Sequence, residues 1–105
     1  MKLISIDRIP GKEIEVLGIV KGTILQSKNL GRDFMAGMKS LVGGEIVGYT
    51  EMLTEARQLA TKRMVDEAEA LGADAIIGVR YGSSQVMDGA AEVLAYGTAV
   101  KIIEK

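Results

Sequence analysis

The stretch EALGADAIIGVRY, Glu69 to Tyr81, joins the end of a helical pattern to the start of an apolar strand. Upstream of it, Leu53, Ala56, Ala60, Met64, Ala68 and Leu71 recur at spacings of three and four, with Leu59 widening the stripe. That period predicts a long helix from Thr50 to Leu71 with one apolar face, stopped by Gly72. Its alanines let the helix axis sit close to whatever it covers, while Lys62 with Asp66 and Arg63 with Glu67 pair one turn apart on the outside. Downstream, Ala73, Ala75, Ile77, Val79 and Tyr81 alternate as one face of a strand. Asp74, at the junction, suits hydrogen bonds to turn amides; a ligand role facing a cleft is the alternative.

A second C-terminal strand carries Val93, Ala95, Gly97, Ala99 and Ile103 on one face, and Asp88-Gly89 is a favoured hairpin pair. The flanking SSQVM suggests a longer, mobile loop there. Towards the N-terminus, Leu3 to Ile6 reads as a short strand before a turn at Ile9-Pro10-Gly11. From Glu13 to Leu25 the residues alternate again, with Ile14, Val16, Val20 and Ile24 on one face, and Leu17, Ile19 and Leu25 on the other. Between the strand and the long helix, Ser27 or Asn29 can cap a short helix. Its Phe34, Met38, Leu41 and Val42 share a side, and Gly43-Gly44 ends it. The order is strand, helix, helix, strand, strand, without repeats or linkers, so residues 1–105 form one domain.

This inventory has more apolar faces than covers. One helix with small residues covers one face of a three-stranded sheet, yet Ile76, Leu94, Tyr96, Val100 and Ile102 lie opposite the expected covered stripes. Leaving such side chains wet forfeits several kcal/mol, comparable with the net stability of a small domain. Wrapping by the short helix is the alternative, but its own apolar residues also need partners. A second copy of the chain is the expected cover.

Composition narrows the chemistry. Thirteen basic and fourteen acidic residues, mixed along the chain, give a net charge of -1 and no field to attract a phosphate backbone, so no nucleic-acid partner is expected. Asp7 and Arg8 interrupt any signal-like start and no apolar run is long enough to span a bilayer, which makes the cytoplasm the expected location and a membrane no partner. There is neither cysteine nor histidine. Nucleophile-base pairs of the usual kind are therefore excluded, and so are thiolate or imidazole metal sites. LVGGEIVGY lacks the lysine and hydroxyl of a phosphate loop.

A metal would have to use oxygen from Asp33, Glu45, Asp74, Asp88 or Glu92 and backbone carbonyls, in a sequence without the spacing of a calcium loop. Met38, Met52 and Met64 fall at packing positions. The pair Arg32-Asp33 stands at the entrance of the short helix, where Asp33 meets the positive end of the dipole and Arg32 can fork onto a carboxylate of a neighbouring element or chain. The functional alternative has Arg32 holding an anion at a subunit boundary. Tyr49, Tyr81 and Tyr96 suit interfaces, with rings covered and hydroxyls wet.

The blocks GIVKG, NLGRDFMAGMKSLVGGEIVGY, LTEARQLA, EALGADAIIGVRY and YGTAV, in this order over essentially the whole chain, resemble the YbjQ family of small uncharacterised prokaryotic proteins. The resemblance implies an α+β, dodecin-like fold: a three-stranded antiparallel sheet, with a short N-terminal strand beside it, one long and one short helix, and a ring-shaped homopentamer. It also implies no established enzymatic activity. Such families carry a heavy-metal-binding label, which this histidine-free and cysteine-free chain does not suit. Arg32, Asp33, Gly43, Gly44, Ala73 and Asp74 fall on the shared motifs and are expected to serve fold or interface. The expectation is a non-enzymatic homo-oligomer without a cofactor, open to a small ligand or ion at subunit boundaries. The alternative is a metal-binding protein using carboxylate and carbonyl oxygens.

Overall fold

The computed structural model describes residues 1–27, 45–87 and 89–103, with 45–47 and 49 described by their backbone only. The elements are β1 (Lys2–Leu3), β2 (Glu13–Ser27), α1 (Glu45–Ala70), β3 (Ala75–Met87) and β4 (Ala90–Ile103). They form an α+β unit whose sheet has the order β1-β3-β4-β2. β1 runs parallel to β3, and β4 is antiparallel to both its neighbours. The sheet is therefore mixed and four-stranded: the short strand expected at Leu3 to Ile6 appears as Lys2–Leu3, and its parallel pairing departs from the expected antiparallel arrangement. The short helix with Phe34, Met38, Leu41 and Val42, and with it Arg32, Asp33, Gly43 and Gly44, lies outside the described residues.

The N-terminal segment follows β3 beyond β1. The amide of Ile4 donates to Ile76 O, and those of Gly78 and Val79 to Ile6 O and Ile4 O. The chain then reverses at the expected turn, where Lys12 N donates to Ile9 O across Pro10 and Gly11, the latter at φ 75°. β3 and β4 run much closer to Gly89 than the expected loop allowed: SSQVM belongs to β3, paired as far as Met87 with Ala90.

Of the three register shifts, one lies near the hairpin between Gln85 and Met87 and the other two reorganise the faces. β2 shifts register between Val16 and Gly18, with Gly18 at φ 146°, and β3 shifts between Ile77 and Arg80, with Gly78 at φ 62°. Each inserts one residue into an outer strand, and both flank β4 near Gly97 to Val100. Because side chains alternate with period two, one extra residue exchanges the faces beyond it. Strict alternation therefore misassigns both strands. Leu17, Val20 and Ile24 face the helix, and Ile14, Val16, Ile19 and Leu25 face the other way. In β3, Ala75 and Ile77 lie on the far side while Val79 and Tyr81 join Ile76 beneath the helix.

α1 begins at Glu45 rather than Thr50, and continues through a buried Gly48. Thr50 is an interior residue whose carbonyl accepts the Thr54 hydroxyl at 2.9 Å. Ala56, Ala60, Met64 and Ala68 are fully buried against Val20, Ile24, Val93, Ala95 and Ala99. Met52 is buried too, in keeping with its packing role, whereas Leu59 and Leu71, expected in the stripe, are exposed. The approach is closest at Gly22. A Cβ there would collide with Ala60 O and lie 2.6 Å from Met64 N.

The charges nearby are used differently from the expected second helix pair. Lys62 does bond Asp66 at 2.9 Å, but Arg63 donates to Thr23 O at 2.9 Å and Glu67 accepts from Lys21 N. Both tie the helix to the outer edge of β2. At the other end, Gly72 (φ 78°) donates to Glu69 O and Ala73 N to Ala68 O, the two bonds of a Schellman stop. Asp74 Oδ2 then accepts from Ile102 N at 2.8 Å and its own amide donates to Val100 O. Ala73 thus takes part in the helix stop through its amide, and Asp74 bonds the neighbouring strand rather than the turn itself.

Candidate functional site

The sheet has a base covered on both faces and an arm covered on one. At the base, Ile9 and Ile4 of the N-terminal segment pack over Ala75, Ile77 and Val100, with Ile14 and Ile102 beside them. Val100 is therefore sealed within the chain, Ile102 is half-covered, and Ile76 lies under α1, contrary to the expectation that all three need an outside cover. Beyond the bulges the same far face is open. Ile19 is 77% exposed, Val16 and Leu25 64%, and Tyr96 41%. Cross-strand neighbours put Thr98 beside Ile19, Tyr96 between Lys21 and Arg80, and Leu94 between Thr23 and Gly82. Covering Val16, Ile19 and Leu25 alone would yield about 3–6 kcal/mol from apolar burial. The arm also makes the molecule long, 58 × 21 × 18 Å, with a radius of gyration of 17.0 Å. About 13 Å is usual for a compact domain of 100 residues.

On the helix side, α1 packs mainly on β2 and β4 and touches β3 least. Where β3 passes Tyr81 at the margin of the helix, a groove of about 230 Å³ opens between them. Leu53 and Arg57 of α1, Tyr81, Gly82 and Ser83 of β3, and Val93 of β4 line it. Val93 is buried and Leu53 half-buried, so the floor is apolar. The rim is polar. Arg57 Nη2 donates to Thr54 Oγ1 at 3.2 Å, and among the described residues no carboxylate pairs with its guanidinium. Thr61 Oγ1 donates to Arg57 O at 2.7 Å and lies 2.7 Å from the Tyr81 hydroxyl.

Counting protons orients that pair. A carbonyl oxygen only accepts, so the single Thr61 proton goes to Arg57 O, and Tyr81 must donate to Thr61. The Tyr81 oxygen is left facing outward as an acceptor. On the outer face of α1, the Lys62 ammonium is held above its ordinary 10.5 by its bond to the Asp66 carboxylate and by that group's charge. It is fully exposed and far in character from a reactive group. Arg57 falls within the block LTEARQLA, which points to the family without marking this residue as functional, and Ser83 falls in none of the quoted blocks. The hint was available only as Thr54, Arg57 and Thr61 along one side of a helix, and Tyr81 with Ser83 on one side of a strand.

The YbjQ family model, described as "Putative heavy-metal-binding", matches residues 1–103. The chain belongs to the YbjQ family. A UPF0145 protein of Clostridium novyi (strain NT) is 59% identical over 103 residues, spanning 98% of this chain and 100% of its own. One of Vibrio parahaemolyticus is 62% identical over 99 residues (93% and 94%), and one of Thermotoga maritima 59% over 103 (97% of each). Among solved structures, a protein with unknown function of the DUF74 family from Pediococcus pentosaceus superposes with a TM-score of 0.60. It covers 98% of both chains at 20% identity, which shows the shared fold.

The metal in the YbjQ description finds no gathered set of donors among the described residues of this member. The whole sequence has no histidine or cysteine, and among the described residues no group of three or more acidic side chains gathers. Of the oxygen candidates, Asp74 is committed to Ile102 N and Glu92 is exposed on the open sheet face. Asp33 and Asp88 lie outside the described residues, and Glu45 is described by its backbone. Met64 and Met52 are buried in packing. A soft ion finds neither thiolate nor imidazole here.

Proposed function

We propose that this YbjQ protein works in the cytoplasm as a non-enzymatic, ring-shaped homo-oligomer of dodecin-like design, holding a small ligand at or near its subunit boundaries. The observation that carries the reading is the arm. Its far face presents Val16, Ile19, Leu25 and Tyr96 to solvent while the base of the same face is sealed by the chain's own N-terminus. A protein that spends residues sealing one half of a face and leaves the other half apolar is built for a partner there.

A second copy suits it. The patch carries Lys21 and Arg80 near Tyr96 and Glu92 beside Leu25, so it offers charges of both signs to an identical neighbour. The outer edge of β3 from Gly82 to Met87 is exposed and has no lysine, arginine or proline to deter strand addition. Five copies is the number implied by the family resemblance. No membrane-spanning helix occurs among the described residues, and the near-neutral charge favours no polyanion.

Native mass spectrometry of protein taken from its own cells tests the reading in one measurement. The expected mass is five times 11.2 kDa, about 56 kDa, with any retained small molecule seen as a discrete increment. A mass of one chain at micromolar concentration rejects it.

A further inference from the structure

We infer that the groove between α1 and β3 is a binding site for a small organic carboxylate bearing a hydroxyl or amino donor. The inference rests on the small-ligand reading above, but uses residues of one chain. Three features of the groove select that chemistry. The first is Arg57, whose guanidinium has only the Thr54 hydroxyl as a partner among the described residues and no acid to neutralise it. A guanidinium in that state presents a planar fork of donors that matches a carboxylate.

The second is the Tyr81 oxygen. Because its proton is spent on Thr61, it can only accept, and a ligand gains from it by donating. A bare carboxylate offers nothing to that atom, whereas a hydroxyl or amino group on the neighbouring carbon does. Ser83, with no side-chain partner among the described residues, can serve either end. The third is the floor. Leu53 and Val93 favour carbon over a fully hydrated inorganic anion. A volume of about 230 Å³ lies at the small end of ligand pockets, which suits a small ligand.

Titration of the ¹⁵N-labelled full chain at neutral pH with 2-hydroxybutyrate, butyrate and inorganic phosphate tests this by amide shifts. The expected result is saturable movement of Arg57, Tyr81, Gly82 and Ser83 with 2-hydroxybutyrate, at a dissociation constant on the order of 1 mM. Butyrate should bind about three- to tenfold more weakly for want of the donor. Arg57→Met should weaken both about tenfold or more. Tyr81→Phe should erase the difference between the two while leaving butyrate unchanged, an effect that a merely structural role would not produce.

Absence of saturable shifts in these residues overturns the inference, as does binding untouched by Arg57→Met. Phosphate binding as tightly as 2-hydroxybutyrate overturns the organic class. Light scattering on the same samples separates the two proposals. A monomer that binds the hydroxy acid rejects the assembly and keeps the groove, and an assembled protein that ignores it rejects the groove alone.

Discussion

Gly22→Ala is the sharpest test of how the helix meets the sheet. The added methyl would collide with Ala60 O and would sit 2.6 Å from Met64 N and 2.9 Å from Arg63 Cβ. Two of these atoms belong to the helix backbone, so no rotamer change relieves the contact and the helix must lift. Lifting loosens the fully buried seam of Ala56, Ala60, Met64 and Ala68. It also strains the ties from Arg63 to Thr23 O and from Lys21 N to Glu67. Overpacking of this kind costs about 1–3 kcal/mol and more where backbone must move, so about 3 kcal/mol is expected. For a chain of this size that lowers the melting temperature by about 12–20 °C. Thermal unfolding followed by circular dichroism, with wild type and variant at equal concentration, measures it. A melting temperature within about 2 °C of wild type would refute the close approach.

Gly97→Ala should cost somewhat less, about 2 kcal/mol, because its nearest contacts, Cγ2 of the buried and β-branched Ile76 at 2.7 Å and Ile77 O at 2.9 Å, are longer than the collision with Ala60 O at Gly22. The same melts rank the two. Gly72→Ala places a Cβ at φ 78° and should cost about 1 kcal/mol through the helix stop, visible as a lower urea midpoint at unchanged slope. Asp74→Ala should cost about 1 kcal/mol and speed hydrogen exchange at the Ile102 amide, which loses its carboxylate acceptor. The Lys62–Asp66 pair raises the lysine above 10.5, so its contribution is fully present below that value and disappears as pH rises through the higher folded one. Being fully exposed, it should leave Lys62→Gln and wild type with nearly equal melts from pH 6 to 9.

Much of this fold is legible in the residues, and the gaps share a cause. The long helix, its glycine stop and the β4 alternation follow from local periodicity, because nothing interrupts the period in those segments. The faces of β2 and β3 do not, since a bulge is one extra residue whose presence depends on the neighbouring strand. Gly18 and Gly78 hint at bulges without locating the switch. Leu59 and Leu71 extend an apolar pattern on paper, yet α1 is seated by Gly22 and the alanines, which turns both outward. Arg63 and Glu67 match a helical ion pair, but the unpaired edge of β2 offers them a carbonyl and an amide instead. Asp74 is readable as a structural hydrogen-bonder, though not its partner on β4. The groove was out of reach for a similar reason. Arg57 and Tyr81 meet only after the chain folds β3 back beneath the helix, and no spacing in the sequence records that.

Sedimentation velocity of wild type beside Ile19→Asp most directly examines whether copies share the open arm. The account predicts a multiple of 11.2 kDa for wild type, about 56 kDa for five copies, and a shift towards the single chain when a carboxylate is placed on that face. Wild type sedimenting as one chain at micromolar concentration, or an assembly indifferent to aspartate at position 19, would contradict it.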